Sequence, residues 1–570
     1  SNETNDSTTT PKATLIQYLS PGNSCGVTIP AGSFLYCSDD WINTDGPDDT
    51  TGTKNTIIAD GIFTIDVDTD VEVNDLEISS GATVIVKEGG SLTVKGDLIN
   101  NGNLELESIS TKYSSLIVEG TSTGDVVYKR HVNTFNNTTG ATTGQNDLIS
   151  APVTNASHTF GVFRATNTNI PSGNIGGVFS YLFGPFDNSA NAYINYTVAN
   201  DVDDLEAGIG YRTASTDTST FTFVGDVNTS TVPVAITTGT SSAWNLIGNP
   251  YPSYINSGDF LTENAPDLDE NAIGIYGYDG TALNGWTVIN FANMNQATNI
   301  APGQGFMVKA EAPSATLEFT PNMRRAGTAD DFILGRTATS HYGHIKLNLL
   351  SGQSEYNTDF YFNSNATSGL DPGYDAALYD GNPPAFSIYS HLVANDVGTP
   401  FAIQALSHTS MNDITVSLGV NASQGQEITI SILETDMPDD IEIYLEDTAN
   451  NSFTLLNIND YVFTADSNIS GIGRFYLRFN GDALNTIEST LEELIIFTDT
   501  SEKSIVIAGK LQSETKIKLY DIRGRAILVD NLDISNTRQV LNVSHLNTGI
   551  YIIELEGETT EKRIQKLVIR

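Results

Sequence analysis

From Thr56 onward, apolar and polar positions alternate in short runs punctuated by Gly and Asn-Gly: TIIADGIFTIDVDTDVEVNDLEISSGATVIVKEGGSLTVKGDLINNGNLELESIS. A period of two marks strands that bury one face. These runs are too short for long ladders, and the stretch SGATVIVKEGGSLTVKGDLINNGNLEL repeats itself loosely. The pattern predicts a short β-solenoid over 54–130, in which each coil's apolar inner face is covered by the next coil. A meander of ordinary hairpins is the competing arrangement.

Over 131–325 the spacing loosens, with Thr/Asn/Ser/Gly loops between AYINYTVA, TFTFVGDV, TVPVAITT, AWNLIGNPYP and GFMVKAEA. Such strands with polar connections predict a β-sandwich or jelly roll. One short helix is expected at SGDFLTENAP, with Ser257 as its N-cap. A second sandwich is expected over 326–484, where ITVSLGV and ITISIL alternate cleanly. The stretch 485–499 reads as a linker, and a last β unit spans 500–570. The fold class is therefore all-β: a short β-solenoid, two β-sandwich or jelly-roll domains and a small C-terminal antiparallel β-sandwich, behind an N-terminal extension at 1–53.

Charge separates the last unit from the rest. The chain of 570 residues has 69 Asp and Glu against 27 Lys and Arg, a net charge of −42. Residues 503–570 alone carry 11 Lys and Arg against 8 Asp and Glu, which leaves −45 on everything before them. The body's field repels phosphate backbones and anionic lipid, which argues against nucleic acid and peripheral membrane partners. No apolar run approaches the roughly 20 residues of a membrane-spanning helix. The opening SNETNDSTTTPKATLIQ has neither a basic nor an apolar leader segment, so a secretory signal is expected to be absent from this span or already removed.

The tail carries the most specific pattern. In KIKLYDIRGRAILVDNLD, Ile517 and Leu519 share a strand face, Arg523-Gly524 turns, and Ala526 to Val529 returns as a hairpin. Asn547-Thr548-Gly549 then turns into IYIIELE, with Tyr551, Ile553 and Leu555 on one face. In the closing IQKLVIR, Leu567 and Ile569 face inward, and Lys562, Lys566 and Arg570 outward. KLYDIRGR at 518–525, the run from Ser544 to Ile552 and the terminal KLVIR, in that order, closely resemble the type A C-terminal sorting domain of cargo exported by the bacterial type IX secretion system. The matching residues are Lys518, Leu519, Tyr520, Asp521, Gly524, Arg525, Leu546, Gly549, Tyr551, Lys566, Leu567, Val568 and Arg570. The N-P pair that usually opens such a domain is missing from FTDTSEKSIVIAGKL. The resemblance implies a small antiparallel β-sandwich that guides folded cargo across the outer membrane, with the translocon and its sorting-domain receptor as partners and the cell surface or exterior as destination. Weaker resemblances to large surface cargo lie in WNLIGNPYPS with APGQGFMVKA, and in residues 444–479.

Catalytic patterns are sparse. GTSTG at 120–124 fits G-x-S-x-G, but VVYKRHV after it continues as strand where a nucleophile elbow needs a helix. His341 and His344 form H-x-x-H, which reads as a polar turn entering a strand. Asp and Glu pairs abound, yet the roughly 5–10 Å separation of a glycosidase pair is encoded by no spacing here. Cys25 and Cys37, the two cysteines, flank a Pro-Ala-Gly turn and predict a local disulfide in an oxidising compartment, against two buried free thiols as the alternative. The loop holding Asp39, Asp40, Asp45, Asp48 and Asp49 offers candidate calcium ligands outside any EF-hand spacing. No other cofactor is implied. Trp41, Trp244 and Trp286 could stack on sugars, though Trp244 reads as core. The expected function is a non-enzymatic surface protein, adhesin-like or a structural accessory in adhesion or gliding, with another surface protein or a glycan as partner. The alternative is a secreted glycan-binding protein or polysaccharide hydrolase.

Overall fold

The computed structural model describes residues 25, 32–42, 46–47, 52–136, 145–278, 280, 286–294, 298–330, 341–481, 494–499, 503–508, 511, 514–534, 536, 538–557 and 562–569. The chain divides into two compact units. One comprises residues 1–340 with a return at Pro372–Asp380, the other His341–Asp371 with Gly381–Arg570.

The first unit opens on the solenoid. Parallel strands stack in three sheets: Phe34–Cys37, Thr56–Ile58, Leu76–Ile78, Leu98–Asn100 and Ser122–Thr123 in one, Ile62–Ile65, Thr83–Val86, Asn103–Leu106 and Val126–Arg130 in the second, and Asp70–Val73, Ser91–Val94 and Ser115–Val118 in the third. The registers Thr56↔Leu76 and Leu98↔Ser122 set coils of 20 to 24 residues. Inward positions superpose coil on coil, as in Ile65, Val86, Leu106 and Tyr128 or Val73, Val94 and Val118, all buried. This is the stacking logic read from the alternation, and it excludes the hairpin meander. Corners are held by side chains reaching across coils: Asp75 Oδ1 accepts from the Asp97 amide at 3.0 Å, and Asp97 Oδ1 from the Thr121 amide at 2.8 Å. Gly96 and Gly120 follow from this, since a Cβ at either would strike the aspartate below it. Outside, Lys87–Glu107 and Lys95–Glu119 pair neighbouring coils at 2.8 and 3.0 Å.

The solenoid's last coil is closed by Phe221–Gly225, antiparallel to Val126–Arg130. Its core runs without a break from Tyr36 through Phe160, Phe183 and Tyr211 to Val227. At this junction Arg130 is fully buried, pairs with Asp147 at 3.4 Å and lies over the Tyr113 ring. A second core, including Tyr251, Phe260, Phe306 and Phe319, organises the sheets built around Trp244–Gly248 and Gly305–Lys309. The expected helix spans Ser257–Asn264, but Asn256 caps it, accepting from the Asp259 amide, while Ser257 Oγ donates to the Thr298 carbonyl. A helix at Phe160–Thr166 gave no sequence signal, because one buried face of two Phe in seven residues is too short to set a period.

In the second unit, long antiparallel strands such as Gly343–Ser351, Asp413–Asn421, Glu427–Thr435, Ile441–Asp447 and Phe475–Gly481 form an array that folds over itself. Ile345, Leu347, Val416, Ile430, Ile443 and Leu477 enter one core, and the Phe362 and Phe479 rings meet across it at 4.9 Å. Asp447 anchors one end. It is buried, accepts from Arg474 at 2.7 and 3.0 Å and from the Tyr461 hydroxyl at 2.7 Å. Burial pushes its carboxyl up, but these donors outweigh burial and hold it below the ordinary aspartate range.

Candidate functional site

The C-terminal module is a two-sheet antiparallel sandwich. One sheet orders Ile495–Asp499, Ser504–Ala508 and Arg538–Asn542; the other orders Ala526–Leu532, Thr515–Asp521, Gly549–Glu556 and Lys562–Ile569. The span read as a linker thus contains the module's first strand. Ile517, Leu519, Tyr551, Ile553, Leu555, Leu567 and Ile569 are buried in one core, on the faces the alternation assigns them. Lys562 and Lys566 are exposed; Arg570 lies outside the described residues.

The motif residues divide by task. Asp521 builds the first turn, its Oδ1 accepting from the amides of Arg523 at 2.9 Å and Arg525 at 3.0 Å, and its Oδ2 from Arg525 Nε at 3.2 Å. These bonds, the Arg525 amide first, lower its pKa. Gly524 takes φ +78° with open space around it, so the turn needs glycine for its backbone and not for room. A register shift between Leu519 and Tyr520 lets the hairpin close. The second turn is fastened by the Tyr551 hydroxyl, which donates to the Asn547 carbonyl at 2.8 Å.

Across three strands Lys518 reaches Glu556 at 2.6 Å and Glu554 at 3.3 Å, and Lys562 reaches Glu556 at 3.0 Å. The two ammonium groups hold the Glu556 carboxyl down to about 2. Between the two turns lies a surface hollow of about 490 Å³, lined by Asp521, Arg525, His545, Leu546, Asn547 and Tyr551 among others. The first and second motifs, some twenty residues apart in sequence, therefore meet at one place. None of the described residues of the terminal KLVIR lines the hollow; its Leu567 and Ile569 supply core. His545 was not singled out from sequence, since it stands in a turn with no period to mark it, and Asn547 was read only as the start of that turn.

The remaining candidates are dispersed. Cys25 and Cys37 are joined as a disulfide, with Cα atoms 6.3 Å apart. Asp39 Oδ1 accepts from the Ile62 amide at 2.8 Å, a bond between coils, and Asp40 Oδ1 from the Trp41 amide. Asp45, Asp48 and Asp49 lie outside the described residues. Among the described residues no group of three or more His, Cys, Asp or Glu is arranged around a metal position. Ser122 sits in a strand, and the next element is the strand Val126–Arg130, not a helix. His344 pairs with Asp359 at 2.8 Å across a ladder, and His341 with Asp436 at 3.2 Å. Trp244 is core, packed on Tyr276, whereas Trp286 is half-buried, stacked on Tyr379 at 4.0 Å and 5.1 Å from Tyr278.

A polar β body ending in this sandwich defines an exported type IX secretion cargo, destined for the cell surface or the exterior. Residues 501–570 match the family described as secretion system C-terminal sorting domain. Residues 36–479 match a domain of unknown function, DUF8693, and the chain belongs to that family. No curated protein matches. A solved structure titled "Biofilm associated protein - BSP domain" aligns with 74% of this chain and 90% of its own at 8% identity and a TM-score of 0.16, a likeness too slight to carry any argument. No helix among the described residues is long and apolar enough to cross a membrane.

Proposed function

We propose that the protein is a non-enzymatic cell-surface component, adhesin-like or a structural accessory in adhesion or gliding, delivered by its sorting module. The observation that carries this reading is a hairpin of the body, Ser172–Ile175 with Val178–Tyr181, turning at Gly176-Gly177. Its tip presents Ile175, Val178 and Phe179 to solvent, three apolar side chains gathered on one hairpin. Exposed apolar side chains gathered at the tip of a hairpin suit contact with another surface protein. The test is binding of the full chain to whole cells and to co-exported surface proteins. Phe179→Asp with Val178→Asp is expected to abolish binding without changing the fold, and undiminished binding by that variant would overturn the reading. Calcium at the Asp39–Asp49 loop belongs to the same proposal, with a calcium-dependent rise in melting temperature, lost in Asp45→Asn/Asp48→Asn, as its check.

The half-buried pair Tyr278 and Trp286 favours a second reading, a glycan-binding protein, because adjacent aromatic rings offer sugar-stacking faces. Glycan-array binding that disappears in Trp286→Ala and persists in the hairpin variant would select it.

A further inference from the structure

The sorting module's three-stranded sheet has two apolar faces. Ile496, Ile505 and Ile507 enter the module's own core, so Phe497 and Val506, alternating with them, point the other way. Both are nonetheless buried, at 5% and 0% exposure. What covers them is the preceding sandwich of the same unit: Tyr444 and Leu455, themselves 2% and 7% exposed, with Phe453 packed alongside. The Phe453 and Phe497 rings lie 5.4 Å apart, and Tyr444 meets Phe497 edge-on at 6.4 Å. Beside this contact, Thr448, Asn450, Gln565 and Lys566 line a cavity of about 360 Å³.

We propose that the outer face of this sheet is a docking surface for the cargo's own second sandwich, so that the sorting module is a fixed part of the C-terminal unit and not a freely swinging address. The inference rests on the sorting assignment but not on the body's adhesive role. Two alternating sets of apolar side chains in one strand need cover on both sides, and the first set is satisfied inside the module. Separation would expose Phe497 and Val506 on the tail together with Tyr444, Phe453 and Leu455 on the body. The docked arrangement leaves the hollow at Asp521 and His545 and the exposed Ile550 and Ile552 of the other sheet clear for the export machinery. Cleavage of the intervening chain alone would therefore leave the tail seated on the body.

The test uses the full chain, whose two native cysteines are tied in a disulfide, with a site-specific protease sequence placed between residues 482 and 490. Thr448→Cys with Lys566→Cys puts two thiols on opposite walls of the cavity, without touching the apolar contact. After treatment with a short bis-maleimide and cleavage, body and tail are expected to remain one band on a denaturing gel. The pair Thr448→Cys with Val529→Cys, on the outer strand of the other sheet, is expected to give two bands. Adding Phe453→Asp, or separately Phe497→Asp, to the first pair is expected to cut the cross-linking rate at least roughly tenfold, the scale of burying one phenyl ring. Two bands from the facing pair, or equal cross-linking by both pairs, would overturn the proposal; failure of the adhesion assays would leave it standing.

Discussion

Asp521 shows how one side chain can fix a recognition turn: three donors converge on its carboxylate, and Gly524 supplies the left-handed backbone that brings them there. Gly524→Ala meets no atom, so its cost is conformational only, about 1 kcal/mol, readable in chemical denaturation of the full chain. Asp447→Ala is costlier, because it leaves Arg474 half-buried and without its carboxylate. About 3 kcal/mol is expected, from the same measurement. Glu556 gives a pH signature. Its folded pKa is depressed to about 2, so the stability it contributes is present above the unfolded value near 4.5 and is lost as pH falls toward 2. Lys518 and Lys562, raised chiefly by their bonds to Glu556, set the opposite edge: their contribution is complete below 10.5 and is lost as pH climbs past it. Melting of the C-terminal module is expected to fall at both extremes, and Glu556→Gln should flatten the acid limb.

Among the elements, the solenoid is the most legible in sequence. Its inner positions repeat every coil and its corners recur as Asn-Asp-Leu and Gly-Asp-Leu, so neighbouring coils present matching side chains to each other. A gap in one coil is felt by the coils on both sides. Leu104→Ala, at a fully buried position, is expected to cost about 2–5 kcal/mol in calorimetry. The closing strand Phe221–Gly225 was not legible as a cap, since its alternation matches that of any sandwich strand and its partner lies about a hundred residues earlier. The same holds for Asn256, which took the capping role expected of Ser257. Either side chain can accept from the helix's first amides, and Ser257 is drawn instead to the Thr298 carbonyl.

Across the whole molecule, the route is encoded separately from the task. Removing residues 494–570 is expected to leave the protein in the periplasm, with cell fractionation as the readout; surface display of the truncated form would refute the sorting role. The motif residues were legible because each does a local job, turning a hairpin or alternating into a core. The hollow they share was not, since His545 and Asn547 reach Asp521 only through the pairing of Thr515–Asp521 with Gly549–Glu556. One signal of the dock was present all along: Ile496-Phe497 and Ile505-Val506 place apolar side chains on both faces of their strands. The alternation of apolar positions, the three ordered tail motifs and the break in charge near residue 500 determined the all-β class, the solenoid and the route of export. Only the tertiary structure decided what lies against each second face, because periodicity states which faces avoid water, while the partner of a face is chosen by contacts between segments far apart in the chain.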